Sequence, residues 1–280
     1  MSISCAVTIA LAPEVKSGPF VFHSEVQNLD AMFAMVRAMG FPAVEIFPRT
    51  PEDIDPLILG PMLRKHNLQL AAVGTGAGWV IHKLRLTDPD PKTRKKAVEF
   101  VAEILRRAAK LNAPVIIGSM QGKADPDGKE ATLERLRESV ILLAREAQAL
   151  GQRLLLEPLN RYETDLLNKV GDVCLLAEQT NEPAVSVLAD LFHMNIEERD
   201  IPQALLACGN RLGHVHLADS NRQAAGLGHT PMEPIFATLR DMGYQGFVSA
   251  EVFPKPDSDT AAKATLLAWQ SMSLVNPKVL

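Results

Sequence analysis

The chain has 280 residues, of which 47% are hydrophobic and 22% are charged, and its formal net charge at pH 7 is −4. This length exceeds that of most domains but is normal for a single α/β barrel, and the hydrophobic fraction is sufficient for a large core. The slightly acidic balance argues against nucleic acid and anionic membrane surfaces as partners.

Short apolar segments alternate with longer helical patterns along the chain. The apolar segments predict eight strands, at residues 3–11, 43–47, 68–73, 114–118, 153–156, 185–189, 212–217 and 247–252. The segments after them predict eight helices, at residues 29–39, 51–66, 91–111, 129–150, 166–179, 201–207, 234–242 and 259–273. Gly40 and Gly151 follow two of these helices, as glycine commonly does at a helix end.

Eight strand–helix units predict a closed (β/α)8 barrel, or TIM barrel, that residues 1–280 form as a single domain. Short apolar strands with helical spacers are typical of a parallel sheet, and eight such units favour closure of that sheet. The main alternative is an open, doubly wound sheet. Against it, Ala-Leu-Ala-Pro at residues 10–13 follows the first strand, where that fold carries a glycine-rich fingerprint.

Four polar residues stand at the ends of predicted strands five to eight: Glu157, Asp190, His216 and Glu251. A charged group at the tip of a buried strand is costly unless it is paired or binds a metal. Because barrel active sites lie where strand C-termini meet the loops, the four side chains can converge. Three carboxylates and one imidazole suit Mn²⁺, Mg²⁺ or Co²⁺, with Zn²⁺ as a further candidate, and exclude a thiolate site. The sequence therefore predicts one divalent-metal site.

Other polar residues follow the same strand ends, in loops of the kind that carry substrate-binding groups. His193 and Arg222 are natural hydrogen-bond donors to sugar hydroxyls or to a carboxylate. His214 lies two residues before His216 and points to the same side of its strand, one layer deeper. We expect His214 to be a hydrogen-bonded core histidine, with a role as a ligand as the alternative. Glu45, at the tip of strand two, either supports the site residues from behind or pairs with a nearby arginine, and we favour the structural role.

The second half of the chain resembles the xylose-isomerase-like barrel superfamily. Within it, the chain resembles the ketose 3-epimerases (D-tagatose and D-psicose 3-epimerases) and keto-sugar-acid epimerases of similar build. The motifs are Glu-Pro-Leu-Asn-Arg-Tyr-Glu at 157–163, Asp-Leu-Phe-His-Met-Asn-Ile-Glu-Glu at 190–198, Gly-His-Val-His at 213–216 with Asn221-Arg222, and Glu251. The first half shares the architecture but few distinctive motifs.

The resemblance implies a role for each of seven residues. One Mn²⁺-like ion would be held by Glu157, Asp190, His216 and Glu251. Glu157 and Glu251 would also be the two acid–base groups. The substrate oxygens near the carbonyl would be held by Glu163, His193 and Arg222. The implied reaction is proton transfer through an enediolate on a ketose or keto-sugar acid, with 3-epimerisation favoured because two bases can act on opposite faces.

Other activities remain open on the same residues. One base that moves a proton between adjacent carbons would make the protein an aldose–ketose or hydroxypyruvate-type isomerase, and loss of a hydroxyl would make it a keto-polyol dehydratase. A phosphodiesterase resembling endonuclease IV lacks support because its extra histidines are missing. A non-catalytic sugar-binding barrel would not need two opposed glutamates. The glycine-rich loop at residues 74–83, with His82 and Lys83, favours a keto-sugar acid as substrate.

The three cysteines, Cys5, Cys174 and Cys208, form no CxxC pair and are odd in number, which indicates a reducing compartment. The first residues lack the pattern of a signal peptide, and no apolar stretch reaches the ~18 residues that a membrane span needs. We therefore expect a cytoplasmic protein whose partner is a small-molecule sugar or keto-sugar acid. A homo-oligomer, dimer or tetramer, is expected because symmetric assemblies are common among such proteins.

Overall fold

The computed structural model describes residues 3–274 of the chain, so the predicted domain, residues 1–280, extends beyond them at both ends. The strands in this range are β1 (Ser4–Ala10), β2 (Phe22–His23), β3 (Ala43–Phe47), β4 (Gln69–Gly74), β5 (Val115–Ile117), β6 (Leu154–Leu156), β7 (Val185–Asp190), β8 (Leu212–His216) and β9 (Phe247–Ala250). The α-helices are α1 (Leu29–Met39), α2 (Pro56–Lys65), α3 (Ala77–Val80), α4 (Pro91–Ala109), α5 (Lys129–Ala149), α6 (Val170–Thr180), α7 (Leu191–Glu197), α8 (Ile201–Cys208), α9 (Met232–Asp241) and α10 (Ser258–Leu274).

Eight of the strands form a closed parallel barrel, in the order β1-β3-β4-β5-β6-β7-β8-β9. The ring closes where β9 returns to β1, with Ser4 opposite Phe247 and Val7 opposite Ala250. The strand residues are almost all buried because helices cover the outside of the ring and side chains fill its inside. The predicted (β/α)8 TIM barrel is therefore confirmed.

Strict alternation of eight strands and eight helices was wrong in three places. The two-residue strand β2 pairs with the last residues of β1, beyond the part of β1 that pairs with β9. The short helices α3 and α7 lie in the loops that follow β4 and β7. Elements of two, four and seven residues are too short to show a clear hydrophobic period, which is why the sequence did not reveal them.

Two predicted helices begin later than the sequence indicated. Residues 51–53 form a separate 3-10 turn, and α2 begins at Pro56, where the Asp55 side chain accepts the N–H of Leu57 at 2.9 Å. The segment 166–169 precedes α6 as a loop, because Leu167 pairs with the loop after β6: its carbonyl accepts the N–H of Leu159 at 3.1 Å. Local side-chain caps and loop contacts thus set both starts.

Candidate metal centre and active site

Four side chains converge at the C-terminal end of the barrel. Asp190 and His216 are the last residues of β7 and β8, and Glu157 and Glu251 come directly after β6 and β9. These four strands are consecutive in the ring, which brings their ends together. Each of the four side chains offers one nitrogen or oxygen atom, and these atoms all lie within 4.8 Å of one another. The predicted convergence of the four strand-end residues is present in the structure.

His216 stands at the centre of this cluster. Its Nδ1 lies 3.4 Å from Oε1 of Glu157, 3.6 Å from Oδ2 of Asp190 and 3.5 Å from Oε2 of Glu251. Atoms that share one divalent cation at about 2.1 Å lie roughly 3–3.5 Å apart. The spacing of the four side chains therefore matches a single ion between them.

Three atoms of the cluster also lack a partner among the described residues. Oε1 of Glu157, Oδ2 of Asp190 and Nδ1 of His216 are buried and make no hydrogen bond within residues 3–274. A buried polar atom without a partner costs roughly 1–3 kcal/mol, and more when it is charged. A cation bound by all three atoms would remove this cost, so the residues fit a divalent metal ion.

The charge balance in the cluster is negative. Burial raises the pKa of Glu157. Burial opposes ionisation of Asp190 as well, but His193 and Arg222 hold its pKa below the ordinary range. Burial also disfavours protonation of His216, yet the surrounding carboxylates raise its pKa well above the usual value. The raised pKa of His216 indicates excess negative charge around its imidazole, and a divalent cation would neutralise that charge.

The imidazole of His193, on α7, faces the cluster from one side. Its Nε2 lies 3.7 Å from Oδ2 of Asp190 and 3.9 Å from Oε1 of Glu157. Its Nδ1 accepts the backbone N–H of Asn160 at 3.2 Å. Its Nε2 also lies 3.2 Å from Nη1 of Arg222, so hydrogen-bond donors face both nitrogens of this ring.

Arg222 brings a permanent positive charge next to His193, with Nη1 3.2 Å from Nε2 of that imidazole. It has a left-handed backbone, with φ of 55°, in the loop after β8. Its Nη2 donates to Oε2 of Glu251 and lies 3.5 Å from Oδ2 of Asp190. Its guanidinium also stacks over the ring of Phe192, 4.7 Å from the centroid. Burial lowers its pKa, but Asp190 and Glu251 raise it above its ordinary value, so the side chain stays charged.

Glu163 is the most exposed of the seven predicted site residues. Its Oε1 accepts the side-chain N–H of Asn160 at 2.8 Å and lies 3.9 Å from Nδ1 of His193. Asn160 therefore links Glu163 to His193 through two contacts, although the sequence did not assign it this role. The carboxylate is half exposed and faces a cavity, where it can accept a hydrogen bond from a bound hydroxyl.

A cavity of about 300 Å³ opens above the cluster. Five of the predicted residues line it: Glu157, Glu163, His193, Arg222 and Glu251. The opposite wall comes from the first half of the chain and is mainly apolar, with Val15, Phe20, Phe47, Val80 and Ile116. The rings of Phe20 and Phe47 are 4.5 Å apart. Sequence reasoning missed this wall because single apolar residues in loops and strand ends carry no distinguishing signal.

The basic residues of the loop after β4 point elsewhere. His82 lies with Nε2 3.0 Å from the carbonyl of Arg49, and Lys83 donates to the carbonyl of Val80 at 2.9 Å. Arg85 pairs with Asp125 at 2.7 Å. None of these three basic side chains lines the cavity, so they do not support the keto-sugar acid that this loop favoured in the sequence.

Glu45 and His214 lie beneath the cluster. Nε2 of His214 is 2.8 Å from Oγ of Ser249 and 2.8 Å from Oε2 of Glu45, which fits the expected core histidine. Oε1 of Glu45 lies 3.0 Å from Nε2 of His216. Glu45 therefore pairs with two histidines and not with an arginine, a long-range contact that local sequence patterns do not reveal.

The fold and the site together define a class: a TIM barrel with a candidate metal centre at the C-terminal ends of its last four strands. The chain belongs to the xylose isomerase-like TIM barrel family, whose model matches residues 33–271. The resemblance expected from the motifs is thus confirmed.

Characterised relatives are sugar epimerases. The D-psicose 3-epimerase of Ruminiclostridium cellulolyticum is 32% identical over 248 residues, which cover 85% of this chain and 82% of that protein. The 3-dehydro-D-guloside 4-epimerase of Escherichia coli is 28% identical over 250 residues, covering 87% of this chain and 94% of that protein. The crystal structure of D-psicose 3-epimerase with D-tagatose from Clostridium cellulolyticum has a TM-score of 0.79 and 25% identity, over 97% of this chain and all of that one.

Proposed function

We propose that the protein is a divalent-metal-dependent sugar epimerase that inverts C3 of a neutral ketose. The observation that carries this proposal is that Glu157 and Glu251 lie 3.4 and 3.5 Å from Nδ1 of His216 and that both line one cavity. The activities of the 3-epimerase and 4-epimerase relatives support a reaction that inverts a carbon near a carbonyl.

The metal would be held by the four strand-end residues, Glu157, Asp190, His216 and Glu251. Their oxygen-rich donor set favours Mn²⁺, with Mg²⁺, Co²⁺ or Zn²⁺ as alternatives. When bound, the ion supplies electrostatic stabilisation to the negative charge that develops on the substrate's carbonyl oxygen. Proton transfer and substrate binding would be carried out by the side chains around the cavity.

Glu157 and Glu251 would exchange the proton at C3. Burial raises the pKa of Glu157, which favours uptake of a proton by its carboxylate. Arg222 donates to Oε2 of Glu251 and so keeps that carboxylate in a fixed orientation. One glutamate removes the proton from one face of the carbon, and the other returns a proton to the opposite face, which inverts the centre.

His193, Arg222 and Glu163 would hold the substrate oxygens. The guanidinium of Arg222 is a donor for the carbonyl or its neighbouring hydroxyl, and His193 would contact the same oxygens beside it. Glu163 is an acceptor for a hydroxyl proton. Together these groups would hold the reacting carbon between the two glutamates. Correct alignment of the carbon and the carboxylates would supply much of the rate enhancement.

The cavity supports a neutral sugar over the keto-sugar acid that the sequence favoured. In the described part of the chain, Arg222 is the sole lysine or arginine that lines it, and this side chain already faces Glu251 and Asp190. A carboxylate or a phosphate on the substrate would therefore enter the cavity without a free cationic partner, which is costly. The Phe20 and Phe47 rings offer apolar surface to the C–H face of a sugar instead.

The test is deuterium exchange followed by NMR. The Mn²⁺-loaded protein is incubated in D₂O with neutral ketoses, ketose phosphates and keto-sugar acids. We expect label at C3 and a new epimer with a neutral ketose. An aldose product with label at C1 or C2 would indicate an aldose–ketose isomerase instead, and loss of water would indicate a dehydratase.

Matched variants separate catalysis from binding. Glu157→Gln and Glu251→Gln should each lower the exchange rate by about 10²-fold or more while ketose binding persists. Glu178→Gln changes an exposed glutamate on α6 and should leave the rate unchanged. If both site variants exchange label at the wild-type rate, the acid–base assignment is wrong.

Two further expectations from the sequence stay predictions. A homo-oligomer is testable by light scattering on the purified protein, and a cytoplasmic location by fractionation of the source cells. Among the described residues, every helix is too short or too polar to span a bilayer.

A further inference from the structure

Glu45 is a buried carboxylate that has no role in the proposed reaction. It lies in the middle of β3, with no exposed surface, and it does not line the cavity above the cluster. Substrate in that cavity therefore cannot reach it. A fully buried carboxylate in a barrel core is costly to keep unless its partners compensate for lost hydration.

Both oxygens of Glu45 face histidines of β8 across the barrel interior. Oε1 lies 3.0 Å from Nε2 of His216, and Oε2 lies 2.8 Å from Nε2 of His214. His214 has a second polar neighbour in Oγ of Ser249, at 2.8 Å. Among residues 3–274, Nε2 of His216 has no such second neighbour, so Glu45 is the group that sets the orientation of this ring.

The two ring nitrogens of His216 face opposite surroundings. Nε2 points down to Glu45, while Nδ1 points up into the cluster and has no hydrogen-bond partner in the described range. A neutral imidazole carries one N–H, and a carboxylate accepts it. Placing that proton on Nε2 leaves the Nδ1 lone pair free to face the three carboxylates of the cluster.

We propose that Glu45 is a positioning residue for the metal centre: it accepts the Nε2–H of His216 and so fixes the tautomer and ring orientation that present Nδ1 to the cation. The inference rests on the metal site of the proposed function. Carboxylates behind metal-binding histidines commonly act in this way, and their loss typically weakens metal binding by about 10–100-fold.

A purely structural role for Glu45 makes a different prediction. If the carboxylate only tied β3 to β8, its replacement would lower the stability of the metal-free and metal-loaded protein equally. Metal affinity would then be unchanged. The measurement that separates the two roles is therefore metal binding itself, with no need for turnover.

The experiment compares Mn²⁺ affinity in three proteins by calorimetry and by competition with a chelator. Glu45→Gln keeps the size of the side chain but removes its charge, and we expect affinity to fall about 10–100-fold. His214→Gln is the matched control, because it changes the other partner of Glu45 and keeps the contact with His216. We expect it to bind Mn²⁺ within about threefold of wild type, which is a small free-energy difference.

Each outcome bears on one claim. Wild-type affinity in Glu45→Gln, or an equal loss in both variants, would overturn the positioning role and leave the metal site standing. Absence of Mn²⁺ binding by the wild-type protein would instead overturn the proposed function.

A second measurement serves if Glu45→Gln does not fold. Long-range ¹H–¹⁵N NMR on the wild-type protein loaded with Zn²⁺ reports which nitrogen of His216 carries the proton. We expect the proton on Nε2. A proton on Nδ1 would contradict the assignment.

Discussion

Gly118, directly after β5, lies against the carboxylate of Glu157: a Cβ atom at this position would overlap Oε2 of that glutamate. The backbone of Gly118 has φ of −109° and ψ of −97°, outside the main helical and extended regions. Both the neighbouring carboxylate and the backbone therefore favour glycine at this position.

Gly118→Ala should damage activity more than the fold. The added methyl group would push aside the flexible end of Glu157, and misplacement of a proposed acid–base group by about 1 Å can cost roughly 10²-fold in rate. The free energy of unfolding should fall by about 1–3 kcal/mol, because the backbone of Gly118 lies outside the main allowed regions and the Cβ meets a buried carboxylate. Deuterium exchange at C3 and urea unfolding measure the two effects.

Gly171→Ala is the control for this variant, since a Cβ there meets nothing within 4 Å and the residue lies in α6. It should keep the full exchange rate. Full activity in Gly118→Ala would mean that Glu157 need not occupy its present place.

Removal of the metal should destabilise the protein. Without the proposed cation, Oε1 of Glu157, Oδ2 of Asp190 and Nδ1 of His216 would be buried with no partner among the described residues. Binding to the folded state at about 100 times the dissociation constant contributes about 2.7 kcal/mol, so added Mn²⁺ should raise the Tm of chelator-treated protein. Differential scanning fluorimetry with and without Mn²⁺ measures this shift.

Asp190→Asn should reduce that Mn²⁺-dependent rise in Tm, because it removes the charge of a proposed metal ligand. Asp241→Asn, an exposed position at the end of α9, should show the wild-type rise. An unchanged rise in Asp190→Asn would show that the ion binds elsewhere.

Arg222→Lys should be far from conservative. The planar guanidinium of Arg222 stacks on Phe192 and contacts both Glu251 and Asp190. The ammonium group of a lysine is a single compact charge and cannot make these contacts together. We expect kcat/KM for the ketose to fall by about 10²-fold, as measured by initial rates. Arg137→Lys, in an exposed ion pair on α5, should stay within about twofold.

Asp219 should make stability depend on pH in the acid range. Its buried carboxylate accepts the backbone N–H groups of Ser220, Gly226 and Thr230 at 2.7, 2.8 and 2.9 Å, which hold together the loop that carries Arg222. Burial opposes ionisation, but these hydrogen bonds lower its pKa below the ordinary value. The folded state therefore binds this proton less readily than the unfolded state.

The sign of the effect follows from that lowered pKa. The stabilisation is fully present well above the unfolded pKa of about 3.9 and is lost as pH falls towards the folded pKa. Asp219→Asn should cost about 2 kcal/mol at pH 7, and the difference from wild type should shrink below about pH 4. Urea unfolding at pH 7, 5 and 3 measures it; a pH-independent difference would contradict this linkage.

Much of the fold could be predicted because its signals are local. An apolar run such as residues 185–189 that ends in Asp190 identifies both a buried strand and a costly charge at its tip. The short elements β2, α3 and α7 escaped because they are held in place by the barrel around them. Asp190 is an example: its side chain accepts the N–H of Phe192 and so begins α7, a role that its position at a strand end did not suggest.

By itself, the sequence determined the eight strand–helix units, the family and the four strand-end residues, because periodicity and charged strand tips are properties of neighbouring residues. Only the tertiary structure decided that Glu45 stands behind His216, and that Phe20 and Phe47 line the same cavity as Glu157 and Glu251. Glu45 and His216 are 171 positions apart. Such contacts exist only once the ring has closed, since closure brings strands from both halves of the chain around one interior.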